Sequence, residues 1–328
     1  MSDKETYRQL CAEEQVPLFM QAWWLDAVCV HKHWDVLLCR DAKGEVIAAM
    51  PYLLGRKAWL RYILMPQHTQ TGGVWLQKDL SEEGQEEVVR QLVDKLKGLR
   101  LHYFYQQFGL DSPLPALFAR QGFRIDERVT YRLEETGDID AVVRHFSENK
   151  RRQLNKSRHL TLREDVSAEE FYSFHRSCLA ARGRAIDYSE DFLQAVYAQA
   201  RAHDAGQIVG LQDADGRLLA AAFVVWDKWQ LYYLLPALRL NGGAEAGAGT
   251  RLVVECIRLA QERHVAFDFE GSMTPSIANH YSQFGSQATT YYSVSKLYRP
   301  AFRLLLWANR WKEKRRYLSD NSGRSKIG

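Results

Sequence analysis

Apolar and polar positions alternate in several short segments of the chain, which is the pattern of half-buried strands. Two of these segments, 34–39 and 207–212, lead into the turn sequence Asp-Ala-x-Gly, whose Asp and Gly suit a tight hairpin turn. An apolar segment returns after each turn, at 45–53 and 217–226. The pattern therefore predicts a β-hairpin in each half of the chain.

Helical periodicity is clearest at 250–264, where the apolar residues recur at the i, i+3, i+4, i+7 spacing of one helix face. The segment 82–98 occupies the equivalent place in the first half. Each half also has a third strand ending at Pro before this helix (59–64; 229–235), a buried strand after it (101–105; 265–269), then a shorter helix and a final strand (124–133; 286–297). The two halves thus have the same order of predicted elements.

Sequence matches support an internal duplication. The stretch LLCRDAKGEVIAAMPY (37–52) aligns with VGLQDADGRLLAAAFV (209–224), and YILMP, TGG and Thr130-Tyr131 have counterparts in the same order in the second half. We therefore predict an α/β (α+β) fold of two tandem units, with mixed central sheets flanked by helices. The predicted boundaries are a first unit at 1–135, a basic linker helix at 136–160, a second unit at 161–298 and a basic amphipathic tail at 299–328.

Composition narrows the class of protein. With 328 residues, of which 46% are hydrophobic, the chain is long enough for one large or two average domains, which excludes a disulfide mini-protein and a disordered tail. The five Cys form no CxxC pair, and His31 and His33 have no third ligand at a recognisable spacing, so we expect free thiols and no metal site. The polar N-terminus and the lack of a long apolar run lead us to expect a cytoplasmic protein.

The net charge of +4 conceals two basic segments. Residues 144–163 carry seven Lys/Arg against one Glu, and 296–328 carry ten against two acidic residues. Such segregation indicates a surface for an anionic partner, such as a phosphorylated co-substrate, a nucleic acid or lipid headgroups. Solvated basic helices are the alternative. In the tail, apolar and basic positions alternate as in a helix lying on an anionic membrane, although docking on the protein's own surface would give the same pattern.

Within the first basic segment, a helical stripe brings Arg151 and Asn155 together, with Arg152 beside them. Because Arg forks bind phosphates and carboxylates in bidentate fashion, we expect an acceptor bearing such groups to bind Arg151, Arg152 and Asn155. A solvated interdomain helix is the plainer interpretation.

Two segments suggest chemistry. The glycine-rich loop 236–250 runs directly into a helix, and the unpaired N–H groups at such a helix start suit a phosphate, unless the loop is only a flexible surface turn. In FDFEGSM, the alternation puts Asp268 and Glu270 on one face of a strand, where they could take the proton of a substrate amine. Alternatively, Asp268 forms a salt bridge and Glu270 is solvated. Tyr281 is a candidate general acid, or a core residue.

Several segments together carry a family resemblance: FSENKRRQLNKSRH (146–159), YLLPA (233–237), AGTRLVVECI (248–257), FDFEGSM (267–273), HYSQFGSQ (280–287) and, in the first half, MPYLLG (50–55) and PQHTQTGG (66–73). With these segments the chain resembles the FemAB-like branch of the GNAT superfamily of N-acetyltransferases. In this superfamily the pyrophosphate of acyl-CoA binds the loop before the main helix, which corresponds to 239–251 here. The resemblance implies that Arg239, Gly242, Gly243, Gly247, Gly249, Thr250 and Arg251 bind the co-substrate.

The resemblance implies an N-acyltransferase that moves an acyl group from an acyl-CoA, such as acetyl-CoA, to an amine by direct attack, with no metal. The acceptor would be a small molecule or a cell-envelope precursor. Two alternatives remain open: a FemAB-type peptidyl transferase that uses aminoacyl-tRNA, and a non-catalytic module that binds a ligand or a membrane.

Overall fold

The duplicated order of elements is visible in the computed structural model, which describes residues 2–30, 32–134, 136–240, 247–271, 273–300 and 302–303. The first half contains α1 (Asp3–Glu13), a short 3-10 helix (Leu18–Met20), α2 (Ala22–Val28), β1 (His33–Arg40), β2 (Val46–Lys57), β3 (Leu60–Leu64), β4 (Trp75–Leu76), α3 (Glu82–Gly98), β5 (Tyr103–Gln107), α4 (Leu114–Arg120) and β6 (Arg124–Leu133). The second half contains α5 (Ile139–Arg144), α6 (Glu148–Lys156), β7 (Thr161–Arg163), α7 (Ala168–Ala180), α8 (Glu190–Ala202), β8 (Gly206–Gln212), β9 (Leu218–Trp226), β10 (Gln230–Leu238), α9 (Ala248–Glu262), β11 (Ala266–Asp268), α10 (Pro275–Ser282) and β12 (Gln287–Leu297).

The predicted hairpins form as expected. Gly44 and Gly216 close the two turns with φ of +88° and +77°, a region that side chains with a Cβ rarely adopt. The prediction that the third strand of the second half ends at Pro236 is wrong, since β10 continues to Leu238. Pro236 is tolerated because the pairing of β10 with β11 ends at Tyr232. The missing N–H of Pro236 therefore removes no hydrogen bond between these two strands.

Within the described residues, the strands form one sheet of 12 in which the halves exchange their final strands. The order is β1-β2-β3-β5-β12-β6-β11-β10-β9-β8-β7, with β4 paired to β2. The last strand of the second half, β12, lies between β5 and β6 of the first half, and β6 in turn pairs with β11 of the second. Each half therefore completes the sheet of the other, while the predicted unit boundaries stay a prediction.

The hydrophobic core is shared in the same way. On one face of the sheet, under α2, α7 and α8, a single cluster contains residues of both halves, among them Trp24, Phe171 and Tyr232. On the other face, one cluster lies under α3 and α4 and a second under α9. The two sheet faces consequently offer different surroundings to residues that alternate along a strand.

Candidate active site

Two neighbouring strands separate at the place where the predicted carboxylates lie. β10 and β11 run parallel and pair only from Gln230 to Tyr232, where Tyr232 is opposite Asp268. The chain then turns to β6, and the N–H of Phe269 donates to the carbonyl oxygen of Tyr131 at 2.9 Å. Asp268 therefore lies at the start of a gap between strands, at the junction of the two halves.

Asp268 is 1% exposed, and its two carboxylate oxygens have different surroundings. Its Oδ1 accepts a hydrogen bond from Thr130 Oγ1 at 2.5 Å and another from the N–H of Glu270 at 2.7 Å. Gln70 Nε2 donates to Thr130 Oγ1 at 3.1 Å and extends this network into the first half. Asp268 Oδ2 has no hydrogen-bond partner among the described residues and lies 3.9 Å from Arg132 Nε.

Burial makes Asp268 and Glu270 weaker acids than usual. Loss of hydration raises the pKa of Asp268 to about 6, and the hydrogen bond from Thr130 limits this rise. Glu270 follows the strand with a φ of +57°, and its Oε1 is buried without a described partner. Burial, and then the negative charge of Asp268, raise the pKa of Glu270 well above its usual range. Near neutral pH Asp268 is therefore mainly ionised, and both carboxyl groups hold a proton more readily than exposed carboxyl groups do.

A cavity of about 290 Å³, which we call the junction cavity, adjoins Asp268. Its lining comes from both halves and includes Pro17, Gln70, Thr130, Arg132, Asp227, Trp229, Gln230, Tyr232, Asp268 and Tyr291. A groove of about 1120 Å³ around Arg132 and His264 is larger, but Asp268 does not line it. The junction cavity therefore combines a concave space with a buried acidic group of perturbed pKa, which is the combination typical of an active site.

The aromatic neighbours of Asp268 face the opposite side of the sheet. Phe267 and Phe269 are buried in the cluster under α9, as the strand alternation predicts. Tyr281 of α10 stacks on Phe269, with 4.7 Å between ring centroids. Burial, and then the charges of Glu270 and Asp268, raise the pKa of Tyr281 to about 12, so its hydroxyl keeps its proton at neutral pH. Tyr281 thus lies close enough to both carboxylates for their charges to raise its pKa.

Helix α6 covers part of the start of α9, the predicted donor site. A Cβ on Gly247 would come 2.4 Å from the carbonyl oxygen of Gln153, and Thr250 Oγ1 donates to Gln153 Oε1 at 2.8 Å. Gly249 is only half-buried, and a Cβ there would meet Leu238 at an ordinary 3.4 Å. The accessible side of this first turn is therefore the one at Gly249.

The side chains of two other predicted donor residues already have partners within the protein. Arg239 Nε donates to the carbonyl oxygen of Leu218 at 3.0 Å, and its guanidinium lies over Phe174 on the α7 face, opposite α9. Arg251 pairs with Glu255 within α9. Gly242 and Gly243 lie outside the described residues. The binding roles of all these residues stay predictions.

The predicted acceptor residues lie on the exposed side of α6. Arg151, Arg152 and Asn155 are solvent-accessible, and Arg151 Nη1 donates to the carbonyl oxygen of Arg144 at 2.9 Å. Lys150, in contrast, is 4% exposed, with its Nζ 3.4 Å from His280 Nδ1, and burial lowers its pKa to about 8. The sequence places Lys150 beside the stripe of Arg151 and Asn155 but does not predict its burial.

Sequence reasoning missed Gln70, Thr130 and Arg132 as parts of the site. All three belong to the first half and reach Asp268 through the loop after β3 and through β6. Gln70 lies in the segment PQHTQTGG that carries the family resemblance, which was the available signal. For Thr130 the only signal was its place in the internal repeat. The repeat does not reveal that β6 pairs with β11, the pairing that brings Thr130 to Asp268.

Two negative findings concern only the part of the chain that the structure describes. Its His, Cys, Asp and Glu residues form no group that could hold a metal ion. No helix in these ranges is long and apolar enough to cross a membrane.

Comparison with known proteins supports the predicted family. Residues 138–281 match the family model described as an acetyltransferase (GNAT) domain. No curated protein sequence matches the chain. The matched region contains α6, α9, Asp268 and Glu270.

Several solved structures have a similar fold. FemX matches with a TM-score of 0.70 and 11% identity over 93% of this chain and 98% of its own. The structure of L-PGS from Bacillus licheniformis matches at 0.56 and 14% identity over 93% and 96%. The C-terminal domain of a putative lysylphosphatidylglycerol synthetase from Agrobacterium fabrum matches at 0.56 and 15% over 89% and 91%.

The fold and the match to the GNAT family model together indicate the class of protein to which the chain belongs. Residues 138–281 match a GNAT domain, which supports the predicted family, and the fold of the chain is similar to that of FemX, so the predicted fold class is confirmed. The GNAT domain makes it an acyltransferase in the general sense.

Proposed function

We propose that the protein transfers an acyl group to the amine of an acceptor bound in the junction cavity. The observation that supports this most directly is Asp268 Oδ2, which accepts no hydrogen bond from the described residues and is buried beside a cavity of about 290 Å³. A buried carboxylate oxygen without a donor is unfavourable in the free protein, and a bound ammonium group would supply that donor.

In the proposed reaction, Asp268 takes one proton from the bound ammonium group, which leaves a neutral amine. The amine nitrogen attacks the carbonyl carbon of a thioester, a C–N bond forms, and the C–S bond breaks with its electron pair leaving on sulfur. As the intermediate collapses, the thiolate takes one proton from the hydroxyl of Tyr281, and the second proton lost by the nitrogen restores that hydroxyl. The proton taken by Asp268 passes to solvent, and no covalent enzyme intermediate is needed.

For the donor we propose an acyl-CoA, with acetyl-CoA as the simplest case. The start of α9 supplies main-chain N–H groups and the positive end of a helix dipole for a phosphate group. Since the Thr250 hydroxyl already donates to Gln153, main-chain groups near Gly247 and Gly249 would make the contact. α9 and the junction cavity lie on opposite faces of the sheet, and the gap between β10 and β11 would let donor and acceptor meet.

A second candidate is an aminoacyl-tRNA donor. The exposed residues Arg151, Arg152 and Asn155 lie on α6, the helix that contacts the start of α9, and would suit a nucleic-acid backbone. The fold likeness to FemX and to the synthetase domain is compatible with this donor.

Thermal shift and turnover assays separate the candidates. We expect CoA and acetyl-CoA to raise the melting temperature, and Asp268→Asn to keep this shift but lose acyl transfer to a panel of primary amines. The matched control Asp126→Asn changes an exposed carboxylate paired with Arg124 and should retain transfer. Stabilisation only by charged tRNA would favour the second candidate, and stabilisation only by anionic liposomes would favour a non-catalytic membrane-binding module. Full turnover by Asp268→Asn would contradict the proposed mechanism.

A further inference from the structure

The junction cavity contains polar atoms of both kinds that lack a hydrogen-bond partner among the described residues. Asp268 Oδ2 and Gln230 Oε1 are acceptors without a donor. Arg132 Nε is a donor without an acceptor, because 3.9 Å to Asp268 Oδ2 is too long for a hydrogen bond. All three residues line the cavity. A ligand that fits here must therefore supply at least two donor groups and one acceptor.

An aromatic side chain forms part of the same lining. Trp229 is 43% exposed, which is unusual for so large an apolar residue, and Lys228 Nζ lies 4.4 Å from the centre of its ring. Lys228 thus covers one face of the indole. The C–H groups of a saturated ring pack well on an indole face, because they carry partial positive charge and the face is negative.

We infer that the acceptor is an amino sugar, a single saturated ring that carries a primary ammonium group and several hydroxyl groups; this inference rests on the proposed function. The ammonium group would donate to Asp268 Oδ2, and one hydroxyl to Gln230 Oε1. A second hydroxyl oxygen would accept from Arg132 Nε, and the apolar edge of the ring would pack against Trp229. Each unpaired atom of the cavity then has a partner.

Size and chemistry disfavour other amines. A cavity of about 290 Å³ takes one ring rather than a folded polymer. An unsubstituted alkyl amine carries no oxygen that could accept from Arg132 or hydroxyl that could donate to Gln230, so both side chains would stay unpaired. A site that is built to hydrogen-bond hydroxyl groups discriminates strongly against analogues that lack them.

Matched substrates provide the test. Glucosamine, galactosamine and mannosamine are compared with cyclohexylamine, a six-membered ring with the amine but no hydroxyl, using acetyl-CoA as donor. Binding without donor is followed by saturation-transfer NMR. We expect kcat/KM to be at least tenfold higher for one of the sugars than for cyclohexylamine. In Trp229→Ala the KM for that sugar should rise at least tenfold, and Trp229→Phe should restore much of the loss.

The control variant is Trp59→Ala, which removes an indole that is 67% exposed and does not line the junction cavity. It should leave sugar binding unchanged. Equal kcat/KM for sugars and cyclohexylamine, or an unchanged sugar KM in Trp229→Ala, would overturn the amino-sugar assignment while acyl transfer still stands. Sugar binding that depends on Trp229, without transfer to any amine, would overturn the proposed function but support the site. If neither sugar binding nor acyl transfer is observed, both the amino-sugar assignment and the proposed function are rejected.

Discussion

Thr130 of the first half donates a hydrogen bond to Asp268 of the second half, with 2.5 Å between Thr130 Oγ1 and Asp268 Oδ1. The bond exists because β6 pairs with β11. Arg132 is opposite Asp268, and Thr130 lies two residues from Arg132 on the same face of β6. It occupies one carboxylate oxygen and leaves Oδ2 for the junction cavity. A side chain of the first half, together with the N–H of Glu270, therefore orients the proposed proton acceptor in the second half.

Thr130→Val removes this hydrogen bond without a large change in shape. Because the bond stabilises the ionised carboxylate, its loss should raise the pKa of Asp268 further above its present value of about 6. Activity requires the ionised form, so we expect the acidic limb of the pH–rate profile to move to higher pH, by on the order of 1 pH unit. Thr130→Ser keeps the hydroxyl and should keep the profile. An unshifted limb in Thr130→Val would show that Asp268 does not control it.

Asp268→Asn keeps the size of the side chain but removes the proton acceptor. We expect kcat to fall by about 10²–10⁴-fold, the usual contribution of a general base, with little change in the affinity for the acyl donor. Steady-state kinetics with varied donor and acceptor give both quantities. A change confined to the acceptor KM would assign Asp268 to binding alone.

We expect the difference in stability between wild type and Asp268→Asn to depend on pH. Burial raises the pKa of Asp268 to about 6. The folded protein therefore stabilises the protonated form of this carboxyl group relative to the unfolded chain, whereas at pH 7 the group is mainly ionised. The contribution of Asp268 therefore becomes more favourable as pH falls from 7 to 4, by on the order of 3 kcal/mol. Urea denaturation at several pH values should show wild type gaining on Asp268→Asn over this range. A pH-independent difference would contradict the raised pKa.

Gly247 and Gly249 provide a pair of variants that separates folding from donor binding. Gly247→Ala would place a Cβ 2.4 Å from the carbonyl oxygen of Gln153, and we expect a loss of about 1–3 kcal/mol in unfolding free energy as α6 shifts. Gly249→Ala meets only Leu238 at 3.4 Å and should fold normally. Chemical denaturation measures both.

A bulkier change at Gly249 tests the donor site itself. Gly249→Phe would place a ring at the accessible side of the α9 first turn, and it should abolish stabilisation by CoA while the far-ultraviolet circular dichroism spectrum stays unchanged. Unchanged CoA affinity in a folded variant would argue against placing the donor at this turn.

Local sequence patterns were sufficient for most of the elements and for one feature of the site. The alternation in FDFEGSM correctly separated Phe267 and Phe269 from Asp268, because side-chain direction along an extended chain depends only on the two-residue period. Local patterns gave no indication of the side of the sheet on which Arg239 lies, because the register of β10 is irregular between Tyr232 and Leu235.

The sequence by itself determined the duplication, the order of helices and strands, and the family resemblance, since each depends on residues close together in the chain. Only the tertiary structure decided which half completes which sheet. That choice brings Gln70, Thr130 and Arg132 to Asp268, and it creates the junction cavity. The physical reason is that strand pairing between distant segments depends on the combined burial of both sheet faces, and the shared cluster around Trp24, Phe171 and Tyr232 can form only when the halves interlock.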